Sequence, residues 1–534
     1  MRLIRIDWEN YRRLPDDHVD VRKHLVLVGP NDSGKSSLLR AVHLCIGMSA
    51  NQLASAIQER DFTDTSAPLK LTVTFGELNP EERNAFPDEI DLGPPEVLRL
   101  SVAANVDPSD PETLSVIRDF PDSGRPRPPS RLQLETIGWA FVPANRSLIR
   151  ELGSAGGSAV QSLLSNVDIG DDATAITESM AYVRSALDES VALGELRASL
   201  ADSLSATLPR TVNKEDLRLR SEADVAGDLL RGITITIENE GIEAPLSEQS
   251  DGVRAMSLLA VLGMSQKAAK IIGIDEPEIH LHSAAQRTIG RTLMSGSGQR
   301  CIATHSAALV SQMDPLDIVV FGADRRVRQL SETTPLNSVG EVTRHWSTRL
   351  LDPLTSRRII IVEGPADRIL LQGLARASGI NLDRQGAVVF ELDGSGFFST
   401  AYSFFGPAGF DLPIVGLLDD DAKEDWSGSI GIAPGDLENA GYFVCCPDLE
   451  GLYVETLGVE RMLQLLGASG MDERYIQRAC QVAEGTEISV TQLAEFCRHK
   501  RRKARCSLAV ANGLESDDAL LFASIATLLE EPSQ

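Results

Sequence analysis

Short, unbroken apolar runs recur along the chain, and several end on a glycine or an acid. "LVLVGP" (Leu25–Pro30), "IIGIDEP" (Ile271–Pro277), "IIIVEG" (Ile359–Gly364) and "IVGLLDDD" (Ile414–Asp421) are of this kind. Runs of this length predict strands buried on both faces, as in parallel sheets. "LKLTVTF", "VLRLSVAA", "GITITIENEG", "RCIATHS" and "GAVVFELDG" predict further strands, and "IVVFGADRRVRQL" predicts two more. The N-terminal "MRLIRIDWENYRRL" reads as strand and turn. "SSLLRAVHLCIG" carries a helical period that stops at Gly47, and "GVRAMSLLAVLGMSQ" carries another. The proline-rich "DFPDSGRPRPPSR" reads as a loop. Between Ser154 and Leu217 the chain becomes rich in Ala, Leu and Ser, which predicts a helical insertion. Beyond "HWSTRLLDPLTSRR" a second strand–helix–strand series begins, followed by a helical tail. Two α/β units are expected.

Composition narrows the class. The chain has 534 residues, enough for two to four domains, with 42% hydrophobic and 24% charged residues. No apolar run reaches 18 residues, so no membrane span is expected. The N-terminus carries no apolar signal-peptide core. The seven cysteines are scattered without a C-x-x-C pair, which argues against disulfides or a zinc site and fits a reducing cytoplasm. The net charge of −26 argues against a simple nucleic-acid coat protein. It leaves room for one local basic patch, "RHKRRKAR" (Arg498–Arg505).

Two constellations carry chemistry. "GPNDSGKSS" holds Gly29, Asn31, Gly34, Lys35, Ser36 and Ser37 in a phosphate-binding loop between an apolar strand and a helix. Glycines let backbone N–H groups converge on phosphate oxygens; Lys35 would reach the β/γ phosphates of ATP and Ser36 would bind Mg²⁺. Asp275 ends a buried strand and can hold that ion through water, while Glu276 can polarise the attacking water. In the second constellation, Glu363 follows one apolar strand, Asp367 lies a helical turn later, and Asp419 and Asp421 follow another strand. Carboxylates gathered at adjacent strand ends suit Mg²⁺ or Mn²⁺ and metal-assisted phosphodiester hydrolysis. Glu450, after "YFVCC", is a further candidate ligand or supporting acid. Lys503 can stabilise charge on a scissile phosphate, with the neighbouring arginines on a DNA backbone.

The first constellation resembles the ABC-type ATPases. "LSEQSDGVRAMSLLA" places Ser250 and Gly252 where those proteins carry their signature motif, with the consensus altered. "PEIHLH" resembles their D-loop, His305 in "IATHS" their switch histidine, and Gln58 their Q-loop glutamine. In that group the signature of one protomer closes over the ATP of another, which implies a dimer or tetramer. The second constellation resembles the Toprim motif of topoisomerases, primases and certain nucleases.

Together, "GPNDSGKSS", "SDGVR", "IDEPEIHLH", "ATHS", "VEGPAD", "LLDDDA", "DLEGLY" and the late "KAR" resemble one family, the OLD (overcoming lysogenization defect) nucleases. The resemblance implies an α/β protein. An N-terminal ABC-type ATPase (1–153 and 218–350) would hold a helical dimerisation insertion (154–217), and a C-terminal Toprim domain (351–534) would follow. It implies a metal-dependent DNA endonuclease, often in antiphage defence, in which Glu363, Asp367, Asp419 and Asp421 match the metal-site acids and Lys503 the late active-site lysine. Some members work beside a UvrD-like helicase, as in the Gabija system. The competing reading is a DNA-repair or scaffold ATPase resembling the RecF group, with the Toprim fold as a binding module. Its mark would be missing acids, and here they are present. A topoisomerase would want a strand-breaking tyrosine in a recognisable context, and a primase a zinc module.

Overall fold

A computed structural model describes residues 1–144, 236–258 and 270–530, each with a few short gaps, and scattered positions between 178 and 198. The expected insertion at 154–217 therefore lies outside the described residues, apart from those scattered positions, which are helical. The chain divides into two units: Met1–Thr136, Gly273–Glu276 and Gln299–Gln534 form one, Ile137–Ile272 and Pro277–Gly298 the other.

The first unit begins with an antiparallel sheet. Its strands are β1 (Arg2–Glu9), β2 (Asp17–Asp20), β4 (Leu69–Gly76), β5 (Ile90–Asp91), β6 (Val97–Asp107) and β7 (Asp110–Asp119), with order β2-β1-β4-β6-β5 and β7 also on β6. A second sheet holds β3 (Leu25–Val28), with β12 (Gln299–Ala303) and β13 (Ile318–Phe321) parallel to it on either side. β14 (Val327–Gln329) runs antiparallel on β13, and β11 (Ile271–Asp275) follows β12 in the sheet order. Every residue of β3, β11, β12 and β13 is buried, as the continuous apolar runs require. The helix Lys35–Ile46 starts from Gly34 in the left-handed region (φ 114°) and closes with the Gly47 N–H on the His43 carbonyl. Its buried side chains Leu38, Leu39, Val42, Cys45 and Ile46 recur at helical spacing.

A third, wholly parallel sheet has the order β16-β15-β17-β18, from β15 (Arg358–Val362), β16 (Ala387–Glu391), β17 (Ile414–Asp419) and β18 (Tyr442–Cys445). The register pairs Val362 with Glu391 on one side and with Leu417 on the other. That alignment brings the C-terminal ends of β15 and β17 together. The helix Pro365–Ala377 leaves the end of β15 and packs against the helix Lys503–Gly513. The two backbones approach closely at Gly373, where a Cβ would stand 2.5 Å from the Ala511 Cβ. Leu370, Leu374 and Val510 are buried beside this contact, each stabilising by about 1.5–3 kcal/mol. Gly373 thus fixes how near the start of the second helix, Lys503, comes to the strand ends.

The second unit contains β8 (Trp139–Val142), the hairpin of β9 (Thr236–Asn239) and β10 (Ile242–Pro245), and the helix Ser283–Ser295. Among the described residues no helix is long and apolar enough to cross a membrane.

Candidate functional site

The phosphate loop opens onto a cleft of about 1220 Å³ lined by Asn31, Gly34, Lys35, Ser36, Ser37, Glu276 and His305, among others. The loop conformation needs its glycines. Gly29 adopts φ 156° and a Cβ there would meet the Phe321 carbonyl at 2.5 Å; at Gly34 it would stand 2.3 Å from Leu14 Cδ2. Lys35 Nζ donates to the Gly29 and Pro30 carbonyls at 3.0 and 2.8 Å, so the ammonium is held at the loop. Ser36 Oγ donates to Asp275 Oδ1 at 3.0 Å, joining the two Mg²⁺ candidates. Glu276 is held in the left-handed region (φ 50°), and its N–H donates to the Ala303 carbonyl. Its carboxylate stands 3.7 Å from His305 Nε2. Burial, then the Lys35 charge, lowers the His305 pKa, with Glu276 opposing.

Four cationic residues that no motif flagged also line this cleft: Arg12, Arg13, Arg60 and Arg325. Arg12 donates to Ser37 Oγ at 2.9 Å and to the buried Asp61 at 2.9 Å, tying the first turn of the chain to the phosphate loop. The only sequence signal was the basic "NYRR" directly after β1. Gln58 is exposed and absent from the cleft lining, whereas Arg60, Phe62 and Thr63 from the same loop are present. Ser250 and Gly252 belong to the second unit. There the Ser250 carbonyl accepts the Arg254 N–H at a helix start, and a Cβ at Gly252 would stand 3.4 Å from the His280 carbonyl.

The second site lies at the C-terminal edge of the parallel sheet. Carboxylate oxygens of Glu363, Asp419 and Asp421 lie within 4.8 Å of one another. Backbone donors steady them: the Asp419 N–H donates to Glu363 Oε1 at 3.0 Å, and the Leu449 N–H to Asp419 Oδ1 at 2.8 Å. Asp420 turns elsewhere and accepts from the Cys446 thiol. Asp367 is buried and accepts the Gly364 N–H at 2.8 Å, so it braces the turn carrying Glu363 and is not one of the three converging carboxylates. Glu450 is fully buried; Lys503 Nζ lies 3.1 Å from its Oε2 and 3.9 Å from Asp419 Oδ2.

Burial dominates the electrostatics. It pushes Glu363 up to about 7, with Asp419 and Asp421 adding to it and the Asp419 N–H opposing. It pushes Asp367 and Glu450 to about 7 as well, against the pull of Lys503, and raises Asp419. Burial alone would lower the Lys503 ammonium; Glu450, Asp419 and Asp367 outweigh it and hold the pKa above its ordinary value. The site therefore concentrates more negative charge than one lysine balances. Its donors are all oxygen, the set preferred by Mg²⁺ and Mn²⁺. Glu450 Oε1 is buried with no hydrogen-bond partner among the described residues. Both observations fit a divalent cation held by Glu363, Asp419 and Asp421, with Glu450 beside it.

The basic run beside Lys503 divides. Arg498 pairs with Asp448, and the Arg502 guanidinium stacks 4.1 Å from the Phe496 ring centroid. Lys500, Arg501 and Arg505 stay exposed.

Residues 25–311 match a family model described as an AAA domain, putative AbiEii toxin, type IV TA system. Residues 354–421 match one described as overcoming lysogenization defect protein-like, TOPRIM domain. Endonuclease GajA of Bacillus cereus (strain VD045) is 25% identical over 274 residues, which cover 49% of this chain but only 43% of that protein. The OLD nuclease of Thermus scotoductus (strain ATCC 700910 / SA-01) is 24% identical over 460 residues, 78% of this chain and 82% of that one. Among solved structures, the C-terminal region of the Xanthomonas campestris pv. campestris OLD protein aligns at 24% identity, over 33% of this chain and 92% of that one, with a TM-score of 0.27. The SmcHead bound to the C-winged helix domain of ScpA aligns at 16% identity, over 63% and 100%, with a TM-score of 0.40. The first model covers more than half of the chain, which therefore belongs to that AAA-domain family, with a segment matching an OLD-like TOPRIM domain behind it.

Proposed function

We propose that the protein is a nucleotide-regulated, metal-dependent DNA endonuclease acting in antiphage defence in the cytoplasm. The observation that carries this reading is the convergence of Glu363, Asp419 and Asp421 at two adjacent strand ends, with Lys503 beside them. The names of the two relatives, an endonuclease and an OLD nuclease, support it. A divalent cation at this site would supply Lewis acidity toward a phosphodiester and a water of lowered pKa. The chain's own groups do the rest. Glu363, Asp419 and Asp421 bind and orient the cation, Asp367 fixes the turn beneath Glu363, and Glu450 holds Lys503. Lys503 offsets charge that develops on the scissile phosphate. Lys500, Arg501 and Arg505 hold the backbone of the DNA.

In the same reading, residues 1–153 and 218–350 bind ATP with Mg²⁺ and residues 351–534 cut. Lys35 and Ser36 hold the phosphates and ion, Asp275 supports the ion, and Glu276 and His305 face the γ-phosphate. Ser250 and Gly252 complete the site of a second protomer in a dimer or tetramer, with 154–217 as the dimerisation element. The match to Endonuclease GajA favours a Gabija-type system with a UvrD-like helicase as partner.

The test is cleavage of supercoiled and linear plasmid by the full chain with Mg²⁺ or Mn²⁺, with and without ATP. Wild type should cut, Glu363→Gln should not, and Lys35→Ala should cut without responding to ATP. Equal cutting by Glu363→Gln would refute the assignment of the site.

A further inference from the structure

The segment joining the nucleotide strands to the acid-bearing sheet touches both sites' supports at once. The turn Ser347–Arg349 and the helix Leu351–Thr355 pack against the helix Ala307–Val310, which begins two residues after His305. The helix Leu351–Thr355 also packs on β3, the strand that feeds the phosphate loop, and on β13. Leu350 and Leu354 are buried, so the segment cannot slide independently of these neighbours.

Its other face meets the Toprim sheet. The helix Leu351–Thr355 packs on β16. Trp346 sets its edge against Phe390 and Phe397 at centroid distances of 5.2 and 6.0 Å, and the Arg349 guanidinium lies 5.7 Å over the Phe390 ring. Arg349 forms an ion pair with Asp393. Asp393 sits in the left-handed region (φ 63°) in the loop after β16, and that loop is stitched to the metal-site turn. The Leu392 N–H donates to the Val362 carbonyl and the Gly394 N–H to the Glu363 carbonyl, both at 3.0 Å. Arg349 is therefore one ion pair and one hydrogen bond from the backbone of Glu363.

We propose that the segment Ser347–Thr355 transmits the nucleotide state to the Toprim acids, with Arg349 as a positioning residue that sets Glu363 through Asp393. This rests on the nuclease reading for its consequence but not for its measurement. A shift of the helix behind His305, or of β3, displaces a buried segment that, among the described residues, grips the far side through the charge of Arg349. The Asp393–Gly394 loop then moves with it, and with the loop moves the carbonyl of Glu363. An ion pair that merely stabilised the fold would lower stability when removed and leave the nucleotide response intact.

The experiment uses full-length wild type, Arg349→Ala and Arg349→Lys, with the non-hydrolysable analogue AMP-PNP as the probe. Hydrogen–deuterium exchange is read on peptides spanning 390–397, and plasmid cleavage is measured in parallel. In wild type, AMP-PNP should change exchange of these amides, and the cleavage rate, at least about fivefold, the low end of ordinary allosteric couplings. In Arg349→Ala both ratios should fall below about twofold while AMP-PNP affinity is unchanged; Arg349→Lys should restore the response. Full response in Arg349→Ala, or no exchange response in wild type, overturns the proposal. An exchange response without any cleavage would leave the coupling standing and remove the nuclease reading. Cleavage without an exchange response would do the reverse.

Discussion

Replacing Glu363 by glutamine should make the ligand-free protein more stable while abolishing cleavage. Glutamine has nearly the same shape, and its side-chain carbonyl can still accept the Asp419 N–H that now binds Glu363 Oε1. What it removes is a charge. Burial raises the Glu363 pKa from 4.5 to about 7. Below pH 4.5 the carboxyl is protonated whether folded or unfolded and carries no penalty. Between pH 4.5 and 7 the unfolded chain ionises it while the native state keeps the proton, so native stability falls as pH rises. Above pH 7 the penalty is complete. The full shift corresponds to about 3 kcal/mol; because Glu363 is partly open to solvent, about 1–2 kcal/mol is the fair expectation. Calorimetry of the full chain in EDTA should show the transition of the unit that holds Glu363 raised by about 2–8 °C in Glu363→Gln at pH 8, with the gap closing toward pH 5. Saturating Mg²⁺ should then invert the order, since it stabilises only the protein that binds it, by about 2.7 kcal/mol at a hundredfold excess over Kd. An equal gain at pH 5 and pH 8, or no gain at pH 8, would refute the claim that an uncompensated buried charge is stored at this strand end.

Other expectations follow from single contacts. Lys35→Ala should weaken Mg²⁺–ATP binding about 10–150-fold by calorimetry, the loss of one charge-assisted contact. Gly373→Ala places a Cβ 2.5 Å from Ala511; denaturant unfolding should show about 1–3 kcal/mol of destabilisation, and cleavage should fall because the start of the Lys503 helix is pushed off. Replacing Lys500, Arg501 and Arg505 together by alanine should flatten the salt dependence of DNA binding. The slope of log K against log salt should shrink by about 2–3 if all three face phosphates.

The parts of the fold easiest to read were those where burial on both faces leaves a continuous apolar run: β3, β11, β15 and β17 stand where "LVLV", "IIGID", "RIIIV" and "IVGLLD" lie. β2 and β7 were passed over because "DHVD" and "DPETLSVIRD" are polar and lie at or near the rim of the antiparallel sheet. Glu363 and Asp419 were legible because each stands at the end of such a strand. Their gathering at adjacent strand ends was expected from the motif pattern, while the Val362–Leu417 register that brings those ends together is not specified by sequence spacing. The bracing role of Asp367 follows from a backbone N–H at Gly364 that no side-chain pattern announces. Arg349 and Asp393 gave no signal, and Arg12 only the basic "NYRR", because their partners, Phe390, the Glu363 turn and Asp61, are brought to them by chain folding.

Both sites solve the same problem in the same way. On the proposed reading, a functional charge must wait for its ligand without collapsing the local structure. At the phosphate loop, Lys35 waits on the Gly29 and Pro30 carbonyls, and Ser36 on Asp275. At the Toprim edge, Lys503 waits on Glu450, and Asp419 on the Leu449 N–H. Each internal partner imitates part of the ligand: carbonyl oxygens for phosphate oxygens, a hydroxyl for a coordinated ion, an ammonium for a cation. Ligand binding is then an exchange of contacts, so its net strength is less than the contacts in the bound state would suggest. The exchange is unequal at the second site. One ammonium faces Glu363, Asp419, Asp421 and Glu450, and burial, with smaller additions from neighbouring acids, lifts Glu363 and Glu450 to about 7. The first site can rest with its groups paired; at the second, protons or a cation relieve the burial of its carboxylates. That asymmetry makes the acid cluster the more responsive of the two to small movements of its own backbone.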